Sequence, residues 1–268
     1  MEKILPEKVA AATLILLRER ADGPPQILMI ERGKTLSFAS GNMVFPGGKV
    51  DADDHAIATR ADLLVPGAEI EAEDLVARIA AVRETLEETG LAPAVDRIAG
   101  QGQLEQMRND LEAGKPFSDI LAESGLRIDP YQLIPFARWI PPVNKFSNFD
   151  TRFYIAAEPA LGEAKVDGSE SSRCCWLAAD DHISAGNMIF PTLRNVERAG
   201  QIESIAHARN FCARYPIRIV TPWFEDRDGE RWLCIPDDLG YPVTSAVFTQ
   251  APRGLEAPSS PKMTRAPG

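Results

Sequence analysis

The chain of 268 residues is 44% hydrophobic and 25% charged, an ordinary globular composition with enough length to bury a substantial core. Its formal net charge of −10 weighs against nucleic acid or an anionic membrane as a partner, so an anionic substrate needs a local basic pocket or a metal ion to offset that field. The four cysteines form no Cys-x-x-Cys pair, no signal peptide is visible, and no run reaches the ~20 apolar residues of a membrane helix. The expectation is a soluble, cytoplasmic protein with reduced thiols.

In chain order, Val9–Leu17 is a continuous apolar strand, Asp22-Gly23-Pro24-Pro25 is turn chemistry, and Gln26–Arg32 is a second strand, predicting an antiparallel pair. Gly33–Asn42 reads as a polar loop. Met43-Val44-Phe45 is a short strand feeding the turn Phe45-Pro46-Gly47-Gly48. Leu75, Ile79 and Val82 follow helical spacing, so a helix is expected to start near Ala72 or Glu73 and to end at Gly90, where a left-handed stop suits glycine. The rest of the segment 55–82 reads as a surface excursion. Apolar stripes at Leu104, Met107 and Leu111, then Ile120 and Leu121, predict two helices broken at Gly114-Lys115-Pro116. Strands return at Leu133–Ile140, Thr151–Ala156 and Cys174–Leu177, the last placing adjacent Cys174 and Cys175 on opposite faces. Pro191 opens a helix. Short strands follow at Ile217–Val220 and Arg231–Ile235, and the composition beyond Gln250 is that of a disordered end.

The chemistry concentrates on the predicted helix. Glu84, Glu87 and Glu88 are spaced i, i+3 and i+4, so their carboxylates share one face and repel by roughly 0.2–0.5 kcal/mol per pair. Arg83 is the single cation within that turn. Such a cluster is comfortable when fully solvated or when a hard cation sits on it, and Mg²⁺ takes oxygen ligands.

The string Arg83-Glu84-Thr85-Leu86-Glu87-Glu88-Thr89-Gly90-Leu91, preceded by Phe45-Pro46-Gly47-Gly48, resembles the Nudix hydrolase box, Gly-x5-Glu-x7-Arg-Glu-U-x-Glu-Glu-x-Gly-U with U apolar. Gly48 matches its first glycine. Asp54 stands where the box has its first glutamate, Thr85 replaces an apolar residue, and residues 55–82 occupy a gap that normally holds seven. A lengthened connection of this kind costs little loop entropy, and a similar interruption marks the branch that includes acyl-coenzyme A diphosphatases. The segments Arg138-Trp139-Ile140-Pro141-Pro142 and Phe149-Asp150-Thr151-Arg152-Phe153-Tyr154 resemble a second signature of that branch.

The resemblance implies an α/β fold: an α/β/α sandwich with a mixed central sheet and helical insertions. The expected organisation is a Nudix domain over 1–210 with its insert at about 55–78, a β-rich C-terminal extension of the same domain over 211–250, and a disordered tail over 251–268. It also implies a small-molecule substrate, a nucleoside diphosphate linked to another group, with no nucleic acid or membrane partner. Mg²⁺ or Mn²⁺ is expected on Glu84, Glu87 and Glu88, with the Gly47 or Gly48 carbonyl opposite. Arg83 is expected to brace Glu87. The water-activating base is Glu84 or Glu170, and the sequence does not decide between them. Arg32, Lys34 and Arg152 are expected to meet substrate phosphates. Coenzyme A or acyl-coenzyme A is the expected substrate; a broader ADP-ribose, NADH or nucleoside triphosphate pyrophosphatase and a catalytically silent binding domain are the alternatives. His55, His182 and His207 form no recognisable ligand or triad pattern.

Overall fold

Strand β1 (Val9–Arg18) is the axis around which the sheet is assembled, and its unbroken apolar run is explained by burial on both faces. The computed structural model describes residues 8–32, 41–97, 99–142, 148–166, 171–185 and 187–248. The elements after β1 begin with β2 (Gln26–Arg32), β3 (Met43–Val44), β4 (Gly47–Lys49), α1 (Ala52–Ala58) and α2 (Ala72–Thr89). Next come α3 (Gln101–Glu112), α4 (Phe117–Ser124), β5 (Ile134–Trp139), β6 (Phe149–Ala157) and β7 (Ser171–Leu177). The chain continues through α5 (Ala179–Ala185), α6 (Phe190–Ala199), α7 (Ile205–Ala213), β8 (Ile219–Val220), β9 (Trp223–Arg227), β10 (Glu230–Cys234) and β11 (Ser245–Val247).

The main sheet has the order β3-β2-β1-β6-β5-β8, with β4 on β1 and β7 on β2. Its β1–β6 and β5–β8 pairs are parallel and the others antiparallel, so the sheet is mixed. Ala12, Leu14 and Leu16 of β1 face a core formed with α1 to α4, while Ile15 and Leu17 face a second core formed with α5 to α7. The result is the expected α/β/α sandwich. Cys174 and Cys175 do pack against opposite cores.

Ahead of α2 the insert is mostly exposed or half-buried, but Ile57 of α1 and Leu63 are 0% and 3% exposed and join the first core, so it is anchored at two points. Helix α2 starts at Ala72, where Glu71 accepts hydrogen bonds from the Glu73 and Asp74 N–H groups (2.9 and 3.0 Å), and it stops at Gly90 with φ of 71°.

The C-terminal segment packs against the main sheet and adds a small sheet of its own. Helix α7 runs through residue 210, β8 joins the main sheet beside β5, and β9, β10 and β11 form a separate three-stranded sheet. Leu233, Ile235, Leu239 and Tyr241 close the second core. The expected disordered tail, 251–268, lies outside the described residues. Among the described residues, no helix is long and apolar enough to cross a membrane.

Candidate active site

Two segments meet at the end of β4. The turn reaches the α2 surface because Gly47 (φ 153°) pairs with Thr13 of β1, where a side chain would run into the Ala12 carbonyl oxygen. At Gly48 a Cβ would occupy the space of the Glu84 carboxylate. The two glycines thus let the backbone lie directly on the acidic face of α2. The Gly47 N–H donates to Glu88 Oε2 at 2.8 Å, clamping turn and helix together.

Arg83 is the hub beneath them. It is 5% exposed and donates through Nε and Nη2 to the two oxygens of Asp54 (3.0 and 2.9 Å), through Nη2 to the Lys49 carbonyl (2.8 Å) and through Nη1 to Glu84 Oε1 (2.9 Å). It also forms an ion pair with Glu87 Oε2 at 3.6 Å, one turn on, alongside the closer contacts to Asp54 and Glu84. Burial disfavours the guanidinium charge, but the Asp54 hydrogen bond and the nearby carboxylates outweigh it and hold Arg83 more firmly protonated than usual. Asp54 is 0% exposed and also accepts from the Asp51 N–H at 2.8 Å, so it anchors α1 and Arg83 and faces away from solvent.

The Glu84 carboxyl is pushed up to about 7, first by burial and further by the charge of Glu87, against the pull of Arg83. Glu87 is the outermost of the three, with 44% of its side chain exposed. The donor set available to an ion here is all oxygen, from Glu84, Glu87, Glu88 and the turn carbonyls, and that chemistry fits Mg²⁺ or Mn²⁺. In the conformation seen, Glu84 is turned to Arg83 and Glu88 to the Gly47 N–H. Accordingly, among the described residues, no three His, Cys, Asp or Glu side chains converge as a ready-made ligand set.

On the other side of the Gly47 turn lies a cavity of about 180 Å³, lined mainly by apolar and aromatic side chains. Arg32, at the end of β2, reaches it; its Nε is shielded from solvent and has no hydrogen-bond partner among the described residues. Alternation along β6 sends Thr151 and Phe153 into this cavity and Arg152 to the opposite face of the sheet. There Arg152 pairs with Glu73 (2.9 Å), Glu71 (3.3 Å) and Asp74 (3.4 Å) at the start of α2, so the structure does not bring it to the cavity. Asp150 pairs instead with Arg138, at 2.6 Å. Lys34 and Glu170 lie outside the described residues. His182 is buried against the Ile27 carbonyl, a packing role.

Sequence reasoning missed the cavity itself. Pro222 comes from a segment that carries no motif, and only the folded chain brings it and Phe190 beside Gly47.

No family model matches the chain. Among curated proteins it is similar to a Caenorhabditis elegans protein named as a candidate nudix hydrolase, number 7, with 29% identity over 235 residues that cover 81% of this chain and 70% of that one. Among solved structures it is similar to a Nudix hydrolase from Alicyclobacillus acidocaldarius, with a TM-score of 0.67 and 28% identity, covering 76% of this chain and 96% of that one.

Proposed function

We propose that this chain, a pyrophosphohydrolase of the Nudix family, cleaves the diphosphate of coenzyme A or an acyl-coenzyme A, giving 3′,5′-ADP and the corresponding phosphopantetheine. The observation that carries the reading is the double role of Gly47, which is held to Glu88 on one side and lines the Arg32 cavity on the other. A diphosphate lying across this turn meets the acidic face of α2 at its scissile bond while one end of the substrate enters the cavity. The coenzyme A assignment is supported by the second signature, since Trp139, Pro141, Phe149, Thr151 and Phe153 all come from it and all line that cavity.

Glu84, Glu87 and Glu88 would hold Mg²⁺ or Mn²⁺, with a Gly47 or Gly48 carbonyl. Bound there, the ion supplies charge neutralisation for the non-bridging phosphate oxygens. The other tasks fall to the chain. Arg83 keeps Glu84 aimed at the turn. The proton of the attacking water goes to a carboxylate, Glu84 on this face or Glu170, which lies outside the described residues. Arg32, whose Nε has no hydrogen-bond partner among the described residues, offers an N–H to a phosphate oxygen.

The test is a substrate panel with Mg²⁺ or Mn²⁺: coenzyme A, acyl-coenzyme A, ADP-ribose, NADH and nucleoside triphosphates, with products separated by chromatography. Preferred release of 3′,5′-ADP, abolished by Glu88→Gln, is the expected result. Preference for ADP-ribose or NADH would keep the hydrolytic site and discard the coenzyme A assignment. Absence of turnover on every diphosphate, with ligand binding retained, would make the chain a binding domain.

A further inference from the structure

The wall of the cavity beside Gly47 is set by a residue 102 positions away. The Trp139 indole N–H donates to the Tyr241 hydroxyl at 2.9 Å, and that hydroxyl donates to Asn195 Oδ1 at 3.1 Å. Trp139 and Tyr241 are 2% and 5% exposed, and Asn195 is 0% exposed. The phenol has one proton to give and accepts one, so the indole, phenol and amide form a chain with a single direction. The Trp139 ring is also gripped edge-to-face by Tyr241, at 5.8 Å and 88°, and by Phe190, at 6.4 Å and 73°. It has one orientation available, and in it the ring lines the cavity. Pro222, from the same C-terminal segment as Tyr241, lines the cavity too.

We propose that the C-terminal segment completes the substrate site, with Tyr241 a positioning residue for Trp139, and that the cavity it closes takes a flat heteroaromatic ring, the base of the nucleotide. This rests on the placement of the diphosphate over the Gly47 turn given above. The cavity volume of about 180 Å³ suits one base and is too small for a base together with its sugar and phosphates. Of its lining rings, Phe149 is half-buried and has surface to offer a planar ligand, while Trp139, Phe153 and Phe190 are buried behind the wall and fix its shape. Gly47 and Arg32 are among its lining residues, so the phosphate end is assigned to their side and the ring to the aromatic side.

The proposal is tested by calorimetric titration of the full chain with two probes, AMP and inorganic pyrophosphate. AMP reaches both cavity and turn, whereas pyrophosphate reaches the turn alone. Tyr241→Phe keeps the ring and removes the hydroxyl, leaving the Trp139 N–H unpaired. It is expected to weaken AMP binding roughly tenfold, the scale of one buried hydrogen bond, with pyrophosphate binding unchanged. Pro222→Phe, which fills the cavity from the other side, is expected to abolish AMP binding and spare pyrophosphate; it keeps the question open to measurement if Tyr241→Phe fails to fold. Three results would each overturn the proposal: no AMP binding by the unaltered chain, unchanged AMP affinity in both variants, or equal loss of both probes in a folded variant. Loss of all diphosphate turnover with selective AMP binding intact would count against the hydrolase reading and leave this one standing.

Discussion

Arg83 grips Asp54 through two hydrogen bonds, 3.0 and 2.9 Å, across the whole of the inserted segment. The pair is what allows the segment to be long: α1 is pinned at its start and α2 in its last third, so the connection between them varies without moving the turn. Asp54 is 0% exposed, and deleting its carboxylate would strand a guanidinium in the interior. Asp54→Ala should therefore destabilise the protein by about 3–5 kcal/mol, measured by urea unfolding. Asp54→Glu, which places the glutamate of the Nudix box at this position, forces an extra methylene into a filled site and should still cost about 1–3 kcal/mol. Little change in either variant would mean the pair is not the anchor.

The raised Glu84 carboxyl makes a pH prediction for the metal-free protein. A carboxyl at about 7 in the folded state and 4.5 in the unfolded chain binds more protons when folded between those values. Stability from this group is fully present below pH 4.5 and is lost as pH rises through 7, by about 3–4 kcal/mol in all, of which roughly 2–3 kcal/mol falls between pH 5 and pH 8. Urea unfolding in chelator at pH 5 and pH 8 should show that loss in the unaltered chain and a flatter profile in Glu84→Gln. Equal slopes in the two proteins would refute it.

Gly48→Ala probes the close approach of turn and helix. The added Cβ falls on the Glu84 carboxylate, which must turn away or push the turn off α2. Misplacement of a reacting group by about an ångström costs on the order of 100-fold in rate, so kcat should fall by at least that much while the circular dichroism spectrum holds. Retention of most of the activity would place the reacting carboxylate elsewhere.

Much of this was legible because it is local. The periodicity of Leu75, Ile79 and Val82 and the stop at Gly90 define α2, and the turn glycines announce the box. Thr85 looked like a defect at an apolar position, yet it is 0% exposed with its hydroxyl donating to the Ala81 carbonyl at 2.7 Å, a bond within its own helix that no linear pattern reveals. Trp139, Phe190 and Pro222 meet only through sheet order. Arg194 and Arg198 on α6 are buried against aromatic rings, which reverses the usual meaning of arginine on a helix. Arg152 was ambiguous for a simpler reason. Strand alternation tells which residues share a face but not which face meets the ligand.

Arg32 and Arg152 now separate cleanly as a final prediction. Arg32 lines the cavity with an Nε that has no hydrogen-bond partner among the described residues, whereas Arg152 spends its guanidinium on Glu71, Glu73 and Asp74. Losing a charge-assisted contact to phosphate should raise KM roughly tenfold in Arg32→Gln, with kcat and thermal stability little changed. Arg152→Gln should leave KM as it is. Its pairs with Glu71 and Glu73 are largely solvated, so the main loss is at Asp74, which also accepts from the Tyr154 hydroxyl at 2.7 Å and from Arg78 at 2.8 Å. The expected destabilisation is about 1 kcal/mol. Steady-state kinetics and urea unfolding on the two variants read both quantities. The reverse pattern, a KM effect from Arg152 and none from Arg32, would put the substrate on the α2 face of the sheet and move the site away from the cavity.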